Sequence, residues 1–87
     1  MAEYVVISNL ILTPQSATPY RPAHLDYMAK LKKDGKMRMA GRFVDGKGGL
    51  YILSVNSVEE AKALADSDPY HLNGVRQYSI REWEQRF

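Results

Sequence analysis

The chain contains no cysteine and only two histidines, so His24 and His71 are its main candidates for proton transfer near neutral pH. His24 lies in "YRPAHLDYMAKLKKDG", one turn into a lysine-rich amphipathic segment beside an Arg-Pro pair. The N-terminal end of a helix disfavours a positive imidazolium, which favours a neutral ring that can act as a base. Spacing alone favours a second interpretation, in which the ring hydrogen-bonds a loop carbonyl and packs on Met28.

Asp68 lies in "DSDPYHLNG", directly before a proline. Aspartate followed by proline is typical of an N-cap and first position of a short helical turn, which is a structural role. The functional interpretation is that Asp68 orients His24 and stabilises its charged form, as the third group of a triad does. The sequence leaves open whether Asp68 or Asp34 is that partner. His71, next to Tyr70, is either a second pocket residue or, as the pattern favours, part of a surface turn.

Three further side chains are candidates for binding a substrate. Arg21, next to Pro22, can hold a carboxylate through two parallel hydrogen bonds, or can be a solvated loop arginine. Arg42 is most simply part of a solvent-exposed face, but it is a second candidate for binding an anion. Tyr70 is close enough to Asp68 in sequence to line the same space.

The spacing of the possible metal ligands argues against a metal site. His24, Asp68 and His71 show neither the H-x-x-x-H nor the H-x-H pattern, so we expect no metal and no cofactor. The "GKGG" segment is typical of a hairpin turn, because it lacks the Gly-Lys-Ser/Thr ending of a phosphate loop.

Composition narrows the class of protein. The length of 87 residues predicts one domain over residues 1–87. The net charge of +2 is too small to indicate a nucleic-acid partner. The N-terminal apolar run lacks the basic region of a signal peptide, and no run approaches the roughly 18 apolar residues of a membrane span. We therefore expect a cytoplasmic protein with no membrane partner.

Hydrophobic periodicity predicts the order β-α-β-β-α-β, that is, a ferredoxin-like α+β fold with a four-stranded antiparallel sheet. The segment with three prolines in "TPQSATPYRP" is predicted to be a loop. The first helix carries an inward stripe of His24, Met28 and Leu31, with Leu25 and Ala29 beside it, and ends at Gly35. The second helix begins at Ser57, with Glu60 completing a capping box and Val58, Ala61, Leu64 and Ala65 facing inward. The predicted strands are Tyr4–Leu12, residues 36–44, Leu50–Asn56 and residues 75–83.

The distribution of apolar side chains predicts a homodimer. Two helices cover one face of a four-stranded sheet, yet the first and third strands are apolar on both faces. We expect two sheets to pack face to face as a dimeric α+β barrel.

In the second strand, strict alternation places Met37, Met39, Gly41 and Phe43 on one face and Arg38, Ala40 and Arg42 on the other.

The segments "RPAHLDYM", "DGKMRMAGRF" and "DSDPYHLNGV", in this order, resemble the YciI-like (YCII-related) family over essentially the whole chain. That family belongs to the dimeric α+β barrel superfamily and is similar in fold to muconolactone isomerase. The resemblance implies a homodimer with a cleft lined by a histidine and an aspartate, which match His24 and Asp68. Many relatives have Gly-Pro where this chain has Gly41-Arg42. Arg42 would therefore make any cleft beneath that strand more positive than the cleft of those relatives.

The resemblance implies a small-molecule lyase or isomerase of dehydrochlorinase-like or muconolactone-isomerase-like type. His24 and Asp68 would transfer a proton on a hydroxylated or carboxylated compound, and Arg21 or Arg42 would hold its anion. A non-catalytic metabolite-binding barrel is the alternative. An RNA-binding module is the third and least favoured hypothesis, because no strand carries an aromatic-rich RNA-binding consensus.

Overall fold

The computed structural model describes residues 1–87 and confirms the β-α-β-β-α-β order and the four-stranded antiparallel sheet. In chain order the elements are β1 Ala2–Leu10, α1 Pro14–Ala17, a 3-10 turn Thr18–Tyr20, α2 Arg21–Lys33, β2 Met37–Arg42, β3 Gly48–Val55, α3 Val58–Asp66, α4 Pro69–Leu72 and β4 Arg76–Trp83. The strand order is β2-β3-β1-β4, so β1 and β3 form the centre of the sheet. No helix has the length and apolar character needed to cross a membrane.

The core lies between the helices and one face of the sheet. The register pairs Tyr4 with Leu53 and Val6 with Tyr51, so these four side chains share the helix-covered face and are buried. The helices complete the core with side chains that are also buried: Met28 and Leu31 from α2, and Ala61 and Ala65 from α3.

The opposite face of the sheet carries apolar side chains that no helix covers. Val5 and Ile7 of β1 pair with Ile52 and Leu50 of β3 on this open face. Met39 of β2, paired with Ile52, is 49% exposed beside them. The prediction that the two central strands are apolar on both faces is therefore confirmed.

The strict alternation predicted for the second strand is wrong at its start. A bulge between Met37 and Met39 inserts one extra residue, so Met37 pairs with Leu53 whereas Met39 pairs with Ile52. These two methionines consequently lie on opposite faces, and Met37 is buried in the core. The bulge leaves Ala40 and Arg42 on the helix-covered side of the sheet.

The predicted loop over "TPQSATPYRP" is also wrong in part, because it contains α1 and the 3-10 turn. Pro14 and Pro19 lie in the first turns of these short elements, where a missing N–H costs no hydrogen bond. β1 correspondingly ends at Leu10, two residues before the predicted boundary.

The predicted helix ends are confirmed, and three of the predicted inward positions are not. Ser57 accepts a hydrogen bond from the Glu60 amide at 3.1 Å, and Gly35 has a φ of +75° after α2. Leu25 and Val58, predicted at the inward side of their helices, are 51% and 42% exposed, and Ala29 is exposed as well.

Candidate functional site

The structure brings His24 and Asp68 together, although 44 residues separate them along the chain. The Nδ1 atom of His24 lies 2.9 Å from Oδ1 of Asp68. α2 begins at Arg21 and so carries His24 in its first turn, while Asp68 is the N-cap of α4. The contact between the two helix starts thus depends on the packing of α2 against α4. Asp34 lies at the other end of α2 and is exposed.

The Asp68 carboxylate is fully buried and has a donor on each oxygen. Oδ1 accepts from His24 and from the Tyr70 amide at 2.9 Å, and Oδ2 accepts from the Tyr51 hydroxyl at 3.2 Å. Burial by itself would raise the pKa of Asp68, but the hydrogen bond and charge of His24, with the Tyr70 amide, lower the pKa below its usual value. Asp68 is therefore an ionised, rigidly held acceptor.

The ionised carboxylate determines which nitrogen of His24 carries the proton. A carboxylate accepts hydrogen bonds, so Nδ1 is the N–H donor and Nε2 keeps its lone pair in the neutral ring. The ring stacks on Tyr70 with centroids 4.2 Å apart, and it lines a cavity. This arrangement suits a general base, because the proton that Nε2 takes up is balanced by the charge of Asp68.

The cavity beside His24 has a volume of about 520 Å³, within the range of small-molecule sites. Its apolar wall comes from β1, α1, α2 and β3: Leu10, Ala17, Leu25, Met28 and Leu50. Three arginines line it, Arg21, Arg42 and Arg76, and no aspartate or glutamate does. The charge of the wall therefore suits an anionic ligand.

The predicted binding residues all reach this cavity. Tyr70, on α4, is buried and stacks on His24, while Arg21 and Arg42 are exposed residues of α2 and β2. Arg42 reaches the cavity because the β2 bulge leaves it on the helix side of the sheet. His71 is not part of the wall. No group of three or more histidine, cysteine, aspartate or glutamate side chains is arranged to hold a metal ion.

The sequence did not predict two contacts at the site. Tyr51 of β3 is buried and donates its hydroxyl to Asp68, and burial next to that carboxylate raises the pKa of Tyr51, so it stays a hydroxyl donor. Arg76 at the start of β4 places its guanidinium carbon 4.1 Å from the centroid of the Tyr70 ring. A single arginine at the end of a strand gives no sequence signal that separates a cavity residue from a solvated one.

The glycines of "GKGG" allow the hairpin to form one wall of the cavity. Gly48 has a φ of +138°, and a Cβ there would lie 2.2 Å from the Ser8 carbonyl oxygen. A Cβ at Gly49 would lie 2.5 Å from the Gly41 carbonyl oxygen. Both positions therefore require glycine for close approach of neighbouring strands.

The chain belongs to the family defined by the YCII-related domain, whose sequence model matches residues 3–84. Among curated proteins it is similar to the uncharacterized protein YjpA of Bacillus subtilis (strain 168), with 31% identity over 61 residues. That match covers 70% of this chain and 72% of the relative.

Two solved structures share the fold. One is 5-chloro-2-hydroxyhydroquinone dehydrochlorinase (TftG) from Burkholderia phenoliruptrix AC1100 in complex with 2,5-dihydroxybenzoquinone, with a TM-score of 0.81 and 20% identity over 99% of this chain and 96% of that chain. The other is muconolactone isomerase, with a TM-score of 0.75 and 16% identity over 97% of this chain and 90% of that chain. At these identities the likeness establishes the fold.

Proposed function

We propose that the protein is a lyase or isomerase acting on a small molecule, with His24 as the proton-transfer residue and Asp68 as its orienting partner. The observation that carries this proposal is the 2.9 Å contact between a buried carboxylate and a histidine in a cavity wall. A histidine whose Nδ1 is held by a carboxylate while Nε2 remains free has the arrangement that general base catalysis requires.

The substrate class is a hydroxylated or carboxylated compound, including those derived from chlorinated aromatics. The three arginines and the absence of a carboxylate in the wall support an anion or a polarised oxygen. The fold shared with a dehydrochlorinase bound to 2,5-dihydroxybenzoquinone and with muconolactone isomerase supports small cyclic substrates. The cavity volume suits a substituted six-membered ring.

The proposed reaction begins when Nε2 of His24 accepts a proton from a carbon or hydroxyl group of the substrate. The electron pair left behind then either shifts within the substrate or expels a leaving group such as chloride. In the first case the imidazolium returns its proton to another substrate atom, which completes an isomerisation. In the second case the proton passes to solvent, which completes an elimination. Asp68 stabilises the imidazolium at each stage.

The test is a thermal-shift screen followed by a turnover assay. The panel contains hydroxylated aromatics, chlorinated hydroxyquinols, muconolactone-like acids and common anionic metabolites. A ligand at a hundred times its dissociation constant adds about 2.7 kcal/mol to the free energy of unfolding, which is a readily measured shift. Each stabilising compound is then incubated with wild type and His24→Ala, and products are followed by mass spectrometry.

The two candidate functions differ in this assay. An enzyme of the proposed type converts one of the stabilising compounds, and His24→Ala loses roughly 10²–10⁴-fold in rate. The alternative, a non-catalytic metabolite-binding barrel, gives binding without turnover and a His24→Ala variant altered in affinity alone. Undiminished turnover by His24→Ala contradicts the proposal outright.

We also propose that the protein is a homodimer joined through the open face of the sheet. Val5, Ile7, Leu50 and Met39 form an apolar patch there, and such a patch is a common mark of an interface. Sedimentation at micromolar concentration tests this. Wild type is expected to be dimeric, Val5→Lys monomeric, and Val44→Lys dimeric, because Val44 is 93% exposed in the turn after β2 and is not one of the patch residues. A monomeric wild type contradicts the proposal.

A further inference from the structure

Arg76 is the arginine most deeply set in the wall of the cavity. Its guanidinium lies over the ring of Tyr70, with the carbon atom 4.1 Å from the centroid, and Nη1 lies 3.5 Å from the position that a Cβ on Gly49 would take. In contrast to the exposed Arg21 and Arg42, it is partly buried. A guanidinium held over an aromatic ring loses little freedom when it binds a ligand, so it is ordered in advance.

The charge of Arg76 has no partner within the chain. It forms no salt bridge, and its Nε atom is buried without a hydrogen-bond acceptor. Burial lowers the pKa of the guanidinium, although its ordinary value is high enough that it stays charged. The only carboxylate close to the site is that of Asp68, and both of its oxygens already accept hydrogen bonds from other donors. An unpaired, partly buried cation is costly, and an anionic ligand relieves that cost.

We propose that Arg76 is the anion anchor of the cavity and that the group it binds is a carboxylate of the substrate. This inference deepens the proposed function, since it selects carboxylated compounds from the wider class of hydroxylated or carboxylated ones. A guanidinium offers two parallel N–H donors, which match the two oxygens of a carboxylate better than the single oxygen of a phenolate. The aromatic and aliphatic wall around it suits the carbon skeleton of an organic acid rather than a free inorganic anion.

The position of Arg76 relative to His24 makes the anchor useful for proton transfer. Both groups pack on the Tyr70 ring, with centres 4.1 and 4.2 Å from its centroid. Base and anchor therefore lie within the length of one small molecule. An acid whose carboxylate binds Arg76 can therefore bring another part of its skeleton to Nε2 of His24, where a proton becomes available.

The experiment compares matched acids and amides in a binding assay that requires no turnover. The probes are benzoate, 2,5-dihydroxybenzoate and cis,cis-muconate, each paired with its amide, and binding is measured by calorimetry. The proteins are wild type, Arg76→Gln, Arg76→Lys and Arg86→Gln. Arg86 is the matched control, because it carries the same charge on an exposed C-terminal residue outside the cavity.

We expect wild type to bind at least one acid roughly 10- to 100-fold more tightly than its amide, the difference typical of a hydrogen-bonded ion pair. Arg76→Gln is expected to abolish this preference while its affinity for the amide changes little. Arg76→Lys keeps the charge without the paired donors and retains part of the preference, and Arg86→Gln keeps all of it. The inference is overturned if no acid is preferred by wild type, or if the preference survives in Arg76→Gln.

An NMR measurement on wild type guards against misfolding of the variants. The Nε–H signal of Arg76, assigned by its loss in Arg76→Lys, is expected to be observable because the atom is buried, and to shift when the acid but not the amide is added. A signal that is unmoved by saturating acid contradicts the inference. Failure of the proposed function looks different: acids then bind through Arg76, yet none is converted and His24→Ala has no rate to lose.

Discussion

The two histidines of this chain lie in neighbouring helices and have opposite surroundings. His24 uses Nδ1 to contact the Asp68 carboxylate and leaves Nε2 without a protein partner in the wall of the cavity. His71 uses both nitrogens within the protein: Nδ1 lies 2.6 Å from the Ala65 carbonyl oxygen and Nε2 lies 2.7 Å from the hydroxyl of Ser8. Only His24 therefore offers a free lone pair to a ligand.

The hydrogen-bond partner of each imidazole explains why one histidine suits proton transfer and the other has a structural role. A carboxylate stabilises an imidazolium strongly, so His24 can take up a proton without losing its contact. A carbonyl oxygen fixes the His71 ring as the Nδ1–H tautomer, and the fully buried Ser8 hydroxyl then donates to Nε2. His71 is thus a bridge between β1 and the end of α3, and packing against Tyr78 at 4.7 Å holds it there. As predicted, His71 lies in a short turn, Pro69–Leu72, although it is only partly exposed.

The largest expected effect of a substitution is on kcat, measured with a substrate identified by the screen. His24→Asn retains a donor for Asp68 but has no base, so its kcat is expected to fall by roughly 10²–10⁴-fold. His71→Asn is the matched change and is expected to leave kcat within a few-fold of wild type while lowering the melting temperature. Steady-state kinetics on both variants measure this. An equal loss of kcat in the two variants would remove the distinction between the histidines.

The second effect is on stability and concerns Asp68. Asp68→Ala leaves the Tyr51 hydroxyl, the Tyr70 amide and Nδ1 of His24 without their acceptor, at a cost of about 1 kcal/mol or more each, hence about 3 kcal/mol in total. Asp68→Asn retains one oxygen and is expected to lose less. Urea unfolding of both variants and of Tyr51→Phe, which removes one donor alone, measures the difference. An Asp68→Ala variant as stable as wild type would mean that this carboxylate does not organise the site.

The sequence was sufficient for the four strands, the two longer helices and their caps, but not for contacts between distant segments. Aspartate before proline correctly predicted the Asp68 N-cap, because capping depends only on adjacent residues. The choice between Asp68 and Asp34 as partner of His24 stayed open, since it depends on how α2 packs against α4. Composition likewise could not show that Arg76 lies over Tyr70.

Local irregularity was the second obstacle. The β2 bulge after Met37 reverses the faces of the strand, and a single inserted residue leaves no mark in an alternating pattern. The alternating pattern therefore predicted Met37 and Met39 on one face, whereas the hydrogen-bonded register of the structure places them on opposite faces. The short helices within "TPQSATPYRP" were missed because prolines that break a helix interior also begin a helical turn.

A third, smaller effect is expected at the other histidine. Ser8→Ala leaves Nε2 of His71 as an acceptor without a donor in a partly buried position, at a cost of about 1–2 kcal/mol in unfolding free energy. Binding at the His24 cavity should be unchanged, because Ser8 and His71 do not line it. Urea unfolding and a repeat of the ligand titration measure the two quantities. Weaker ligand binding by Ser8→Ala would mean that the two histidines act as one site.

The smallest effect is the dependence of stability on pH. Because the folded pKa of Asp68 is lowered below the unfolded value near 3.9, its ionisation stabilises the fold fully above that value. The contribution is lost as the pH falls through the folded pKa. The stability advantage of wild type over Asp68→Asn is therefore expected to be constant near neutrality and to shrink below about pH 4. An advantage that grows on acidification would contradict a hydrogen bond from His24 to an ionised Asp68.

The measurement that tests the central claim most directly is ¹⁵N NMR of the two imidazoles at neutral pH, with and without 2,5-dihydroxybenzoate. The account predicts that each ring in its neutral form carries the proton on Nδ1, that the free Nε2 of His24 shifts when the acid binds, and that Nε2 of His71 does not. A His24 ring protonated on Nε2 alone, or a response to the acid confined to His71, would contradict the account.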